Sequence, residues 1–179
     1  MKDIKLVKKA IKGNQKALER LLRQESDKLY KTAFLYVHNQ QDALDILQET
    51  TYKALISIGQ LKQPAYFSTW LTRILIHTAY DVIDQQKKLI YESGHLENLS
   101  VDYQEEWEAK LDIQTAIASL NKEYQSVIIL FYYHDLPIEQ IASILECPEN
   151  TIKTYLRRAR IELKKRMEGD GYDAKRSFL

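Results

Sequence analysis

The stretch Leu136–Arg166, LPIEQIASILECPENTIKTYLRRARIELKKR, constrains this chain more than any other. Ile138, Ile141, Ala142 and Leu145 recur at helical spacing and define one apolar face. Cys147-Pro148 then breaks the pattern, because proline disfavours a helical residue before it and suits the first turn of a new helix. Beyond the break, Ile152, Leu156, Ala159 and Leu163 form a second apolar stripe. The opposite face carries Lys153, Arg157, Arg158, Arg160, Lys164, Lys165 and Arg166. A short helix, a tight turn and a second helix with one greasy and one basic side is the helix-turn-helix pattern, whose second helix enters a DNA major groove. An ordinary amphipathic pair with a solvated basic face has the same periodicity. The one-signed character of the face favours DNA, since faces built for solubility mix charges and here only Glu162 intervenes before Glu168.

The rest of the chain must temper that basic helix, because the formal net charge over all 179 residues is only +1. A protein that grips duplex DNA unaided carries a marked basic excess. The expectation is weak binding to duplex DNA until a partner presents the helix or an acidic part moves away. Cys147 is the only cysteine, which excludes an intramolecular disulfide and a multi-cysteine zinc site and fits a reducing cytosol. Met1 leads into a lysine-rich amphipathic stretch, with no signal-peptide pattern. The longest apolar run, residues 127–133, is far short of the roughly 20 residues that cross a bilayer. The expectation is a soluble, cytoplasmic protein with no direct membrane insertion.

Helical periodicity governs nearly everything else. Residues 3–24 pattern as a helix, with Gly13-Asn14 as a candidate break. Ser26-Asp27 offers a cap for a following helix with Leu29, Ala33, Phe34 and Val37 inward. Residues 42–57, DALDILQETTYKALIS, place Ala43, Ile46, Leu47, Thr50, Ala54 and Leu55 towards a core. Asp42, Asp45, Gln48, Glu49 and Lys53 line the other side at spacings of three and four. With no His or Cys beside them, these carboxylates read as a solvated or protein-docking face in preference to a metal or acid-base cluster. After a loop over 59–64, a helix from Ala65 to about Gln85 is dense in aromatics: Tyr66, Phe67, Trp70 and Tyr80. Core packing accounts for most of them, and any left exposed would suit stacking on unpaired bases. Arg73, His77, Lys87 and Lys88 supply positive charge alongside.

Composition changes next. Residues 91–108 hold Glu92, Glu97, Asp102, Glu105, Glu106 and Glu108 with no Lys or Arg, so 89–110 reads as an acidic linker. A second helical module runs over 111–168, with Asn121 as a cap and Tyr124, Val127, Ile128, Leu130 and Phe131 inward, and 169–179 forms a fraying tail. The predicted class is all-α: two small helical domains, 1–88 and 111–168, joined by an acidic linker, the second containing the helix-turn-helix.

The order of these features resembles a known family. DALDILQET, the aromatic AYFSTWLTRI, a charged linker and LNKEYQSVIILFYYHDLPIEQIASILECPENTIKTYLRRAR are together similar to an extracytoplasmic-function sigma factor of bacterial RNA polymerase, in the sigma-70 family. The resemblance implies that 1–88 is sigma region 2 and 111–168 is sigma region 4. It implies that Asp42, Asp45, Gln48 and Glu49 dock on the clamp of the polymerase largest subunit. Leu61, Phe67, Trp70, Arg73 and His77 take the role of holding the single-stranded −10 element, with core packing an equal claim on Trp70. Lys153, Thr154, Tyr155, Arg157 and Arg158 approach the duplex −35 element, while that module also sits on the flap of the second-largest subunit. The partners so implied are core RNA polymerase, promoter DNA and an anti-sigma factor, often membrane-bound, with a role in stress response. No catalytic residue, cofactor or metal is implied.

Two positions depart from the family pattern: Glu146 stands where a glycine is frequent in the helix-turn-helix turn, and His77 where asparagine is common. Two other functions compete. A stand-alone regulator binding duplex operators would use the C-terminal module but leave the 42–49 face and the aromatic stretch without work. An enzyme using His77 and Asp81 would need further ligands that the sequence does not supply.

Overall fold

A computed structural model describes residues 4–93 and 108–169, and every described element is helical. The chain divides into two compact units, Met1–Asp84 and Gln85–Leu179.

In the first unit, α1 (Ile4–Ile11) ends at Gly13, whose φ of 89° is open to glycine at no steric cost. Asn14 then caps α2 (Gln15–Val37), its side chain accepting from the Ala17 N–H at 2.9 Å. That break is as the sequence predicts; the second helix start at Ser26-Asp27 is not. The chain runs through as one helix, because Ser26 Oγ donates back to the Arg23 carbonyl at 2.9 Å instead of capping a new turn. Leu22, Leu29, Ala33 and Tyr36 carry the buried stripe across the expected junction.

Asn39 caps α3 (Gln40–Ser57), accepting from the N–H groups of Gln41 and Asp42 at 2.8 and 3.1 Å. Ala43, Ile46, Thr50 and Ala54 are buried as expected, but Leu55 is 46% exposed and joins Leu44, Tyr52 and Ile56 on the outer surface. Two short 3-10 turns, Ile58–Gln60 and Pro64–Tyr66, lead to α4 (Phe67–Ser93). α1 packs against α2 and under both turns, so it props the connection from below. Phe67, Leu71, Leu75 and Ala79 bury one side of α4, each large side chain adding about 1.5–3 kcal/mol. α4 runs beyond the predicted end at Gln85 and into the segment read as linker. Residues 94–107 of that segment, and 170–179 of the expected tail, lie outside the described residues.

The second unit takes in the last turns of α4 and continues, among the described residues, with α5 (Glu108–Ala118). Asn121 caps α6 (Lys122–Ile128), accepting from the Tyr124 N–H at 2.8 Å. The helix then widens into a π turn over Ile129–Tyr133, which periodicity does not announce. Ile129 and Leu130 stay buried while Tyr132 and Tyr133 turn outward. α7 (Ile138–Leu145) and α8 (Glu149–Gly169) follow and pack on each other, with Ile141, Ile144, Ile152, Leu156 and Ala159 buried. The turn between them passes through Glu146 at φ 54° and ψ 37°, the left-handed conformation that a glycine would take without strain. This lets the Cys147 N–H reach back to the Ala142 carbonyl at 3.1 Å and close the helix end.

Candidate nucleic-acid interface

In the first unit, α3 and α4 present two different surfaces. Asp45, Gln48 and Glu49 are exposed on α3, and Asp42 is half-buried beside them at the helix start. Gln41 Nε2 donates to Asp45 Oδ1 at 3.3 Å, and Glu49 lies 3.8 Å from the Lys53 ammonium. The four residues expected to dock on a protein therefore share one accessible polar face.

The five residues expected to hold single-stranded DNA separate into two layers. Leu61 and Phe67 are in the core, Phe67 only 1% exposed with its ring 5.9 Å from that of Trp70. Trp70 and Arg73 are half-buried and His77 is exposed, and all three line a surface groove of about 420 Å³. Lys53, Ile56 and Gln60 complete its other wall, so the groove has an aromatic and aliphatic floor with a cationic rim. Such a mixture suits a base stacked on a ring and a phosphate held by cations. The His77 pKa lies below the ordinary 6.5, chiefly because protein packed round the ring desolvates it and next because of the Arg73 guanidinium; Asp81 opposes this and Lys53 adds to it.

Lys53 neighbours Glu49 as helical spacing expects, and it also makes a contact that spacing does not announce. Helical spacing sets it among the α3 carboxylates, yet its ammonium crosses to α4, donating to Thr78 Oγ1 at 3.1 Å and Asp81 Oδ2 at 3.4 Å. Asp81 is thereby paired with a lysine. Among the described residues, no group of three His, Cys, Asp or Glu side chains is arranged to hold a metal ion.

In the second unit, α8 carries the predicted basic face. Lys153, Arg157 and Arg158 are exposed, and Thr154 and Tyr155 are half-buried. Thr154 Oγ1 donates to the Asn150 carbonyl at 2.9 Å, and the Tyr155 ring packs 5.6 Å from that of Tyr124. Lys153 and Glu149 form an exposed pair at 3.9 Å, the kind that contributes at most about 1 kcal/mol. Arg160 behaves differently: its guanidinium sits 5.5 Å over the rings of both Phe131 and Tyr132. The basic face is thus part open to solvent and part packed on aromatics.

Family models match both units: Sigma-70 region 2 over residues 21–89 and Sigma-70, region 4 over residues 110–163. The chain is 39% identical over 141 residues to RNA polymerase sigma factor SigV of Bacillus subtilis (strain 168), covering 76% of this chain and 84% of that relative. It is 30% identical over 178 residues to the ECF RNA polymerase sigma factor SigW of the same organism, covering 91% and 95%. The chain belongs to the extracytoplasmic-function sigma factors. It is an alternative sigma factor of bacterial RNA polymerase that directs promoter recognition in transcription initiation, and it is not an enzyme.

Solved structures share the sigma factor's fold. The sigma factor RpoE from Bartonella quintana, in complex with the anti-sigma factor NepR, matches with a TM-score of 0.74 at 22% identity, covering 84% of this chain and 96% of that one. CnrH, in complex with the cytosolic domain of CnrY, matches with a TM-score of 0.71 at 21% identity, covering 94% and 98%. Among the described residues of this sigma factor, no helix is long and apolar enough to cross a membrane.

Proposed function

We propose that the two units divide promoter recognition, the first docking on polymerase and holding the melted −10 strand and the second reading the −35 duplex. The observation that supports this reading is the presence of two unlike surfaces on one chain. One is an aromatic groove rimmed by Lys53, Arg73 and His77, and the other is the basic outer face of α8. Unpaired bases need a stacking surface, whereas a groove-reading helix needs exposed arginines and lysines for base edges and phosphates. Arg157 and Arg158 suit the −35 contacts best, being exposed at mid-helix, with Lys153, Thr154 and Tyr155 on the preceding turn. Trp70, Arg73 and His77 face the −10 strand, while Leu61 and Phe67 act from beneath by fixing the loop and the Trp70 ring.

The α3 face of Asp42, Asp45, Gln48 and Glu49 docks on the clamp of the polymerase largest subunit, and the second unit sits on the flap of the second-largest. Trapping unpaired bases in preference to duplex shifts the promoter towards the open form without a chemical energy source. An anti-sigma factor holds the protein inactive in the cytoplasm until a signal arrives, a reading supported by the related fold solved in complex with one.

The test is transcription in vitro with purified core polymerase and a pool of promoter fragments, with and without the sigma factor. Initiation at a subset of fragments sharing −35 and −10 elements is the expected result. Binding to duplex operators with no gain in initiation would favour a stand-alone regulator instead.

A further inference from the structure

We propose that the outer face of α1 is a contact surface for the sugar-phosphate backbone of promoter duplex flanking the melted −10 segment. The inference rests on the reading of the first unit as the −10 module.

Spacing builds the face. Lys5, Lys8, Lys9 and Lys12 fall at i, i+3, i+4 and i+7, so they share one stripe, and all four are exposed. Lys12 continues the helix beyond Ile11, its N–H reaching the Lys8 carbonyl at 3.3 Å. Val7 and Ala10 lie on the opposite side and are buried. No acidic residue occurs between Ile4 and Ile11. Among the described residues none of the four lysines is held in an ion pair, whereas Lys53 lies against both Glu49 and Asp81. Solubility does not require such a face, because solvated surfaces mix signs. Like charges three and four residues apart also destabilise a helix, and α1 has only 8 residues. The helix dipole favours Lys8 and Lys9 in the last turn but opposes Lys5 in the first. A polyanion laid along the stripe offsets that repulsion.

Shape and position select duplex DNA. Lys5 and Lys12 are about 10 Å apart along the axis at 1.5 Å per residue, a distance over which one duplex strand presents about three phosphates. α1 is packed against the turns Ile58–Gln60 and Pro64–Tyr66, and Gln60 lines the groove that holds Trp70 and Arg73. The lysine stripe is thereby fixed beside that groove and outside it. The carboxylates of α3 require a partner surface of positive sign, so a lysine-only face on the same unit addresses a different surface. A lipid surface does not fit, since the apolar side of α1 is buried and cannot insert.

The test uses holoenzyme assembled from core polymerase and full-length variants, with two probes. One is a promoter fragment whose −10 segment is unpaired between two duplex arms, and the other is the −10 strand alone. Lys5→Gln, Lys8→Gln, Lys9→Gln and Lys12→Gln are combined in one variant. It is expected to lower the salt slope on the first probe by about 2.7, three phosphates at about 0.9 each, and to weaken binding severalfold. Binding of the single strand and of core polymerase is expected to stay unchanged, and the matching four-arginine variant to keep the slope. An equal loss on the single strand would move the lysines to the unpaired DNA and overturn the inference. Loss of core affinity with an unchanged slope would make α1 a polymerase contact, and no change in any readout would leave it a solvated face; either result also overturns it. Arg73→Ala tests the −10 reading separately. If it leaves single-strand binding intact, that reading falls, while the slope of the lysine variant still decides the α1 face.

Discussion

Replacing Glu146 with glycine should stabilise the helix-turn-helix unit. At φ 54° and ψ 37° the Glu146 backbone lies in the left-handed region, where a β-carbon crowds the carbonyl oxygen at a cost of roughly 1–2 kcal/mol. Glycine removes that crowding but gains unfolded-state entropy, which offsets about 0.4–1 kcal/mol. The midpoints of these ranges leave about 0.8 kcal/mol in favour of Glu146→Gly, or a rise in Tm of roughly 3–6 °C for a unit of this size. Glu146→Ala separates the backbone from the side chain, because alanine keeps the β-carbon and loses only what the carboxylate contacts. The assay is denaturant-dependent hydrogen exchange of full-length protein, followed at the amides of α7 and α8, so that the first unit does not obscure the transition. Protection should be greater in Glu146→Gly than in Glu146→Ala, and the gap between the two variants reports the backbone contribution without the carboxylate. Equal protection in the two variants would refute the strain argument, whatever the wild type does.

Acid should destabilise the sigma factor through its histidines. His38 and His77 both have pKa values below 6.5, in each case mainly through desolvation, so the unfolded chain binds more protons as pH falls through that value. Stability then rises with pH in that window and is lost as pH drops from 6.5 towards the folded values. Urea midpoints should be lower at acid than at neutral pH, and His77→Asn should narrow the difference; a midpoint that rises on acidification contradicts the assignment. Arg157→Ala should reduce affinity for −35 duplex by about 1–3 kcal/mol if it reads a base edge. Arg160→Ala should cost stability more than DNA affinity, since Arg160 is stacked on Phe131 and Tyr132; fluorescence anisotropy and thermal melts compare the two. Reversing charge with Asp45→Lys and Glu49→Lys should weaken assembly with core polymerase tenfold or more while leaving the fold intact, as both sites are exposed. Co-elution with core polymerase measures it, and retained assembly would remove α3 from the docking surface.

What the sequence made legible was whatever one helix decides by itself. The two faces of α8 follow from spacing, and so does the row of Asp42, Asp45, Gln48 and Glu49. Asn121 as a cap also follows from local chemistry, whereas the left-handed conformation at Glu146 follows only from the family pattern, which often has glycine there. What stayed hidden depends on a second element. Ser26-Asp27 reads as a helix start because local capping chemistry is all that a sequence displays, and tertiary burial of Leu22, Leu29 and Ala33 keeps the helix whole. Phe67 and Trp70 look equivalent in an aromatic run, yet one is core and the other lines a groove. Lys53 was legible as a member of a charged face, but its reach to Thr78 and Asp81, 25 and 28 residues away, was not.

The π turn at Ile129–Tyr133 gives the second unit a place where chain length can change. A π turn accommodates one residue more than an α-helix needs between the same two endpoints. Here the His134 N–H reaches the Ile129 carbonyl at 3.1 Å, and the Leu136 N–H the Leu130 carbonyl at 3.1 Å, so both ends are anchored around the wider ring. Tyr132 and Tyr133 occupy the bulged, outward side. Loss of either by deletion would tighten the ring to ordinary helix and leave α6 and the helix-turn-helix where they are. In evolutionary terms the segment can gain or lose a surface aromatic without shifting the register of α8 behind it.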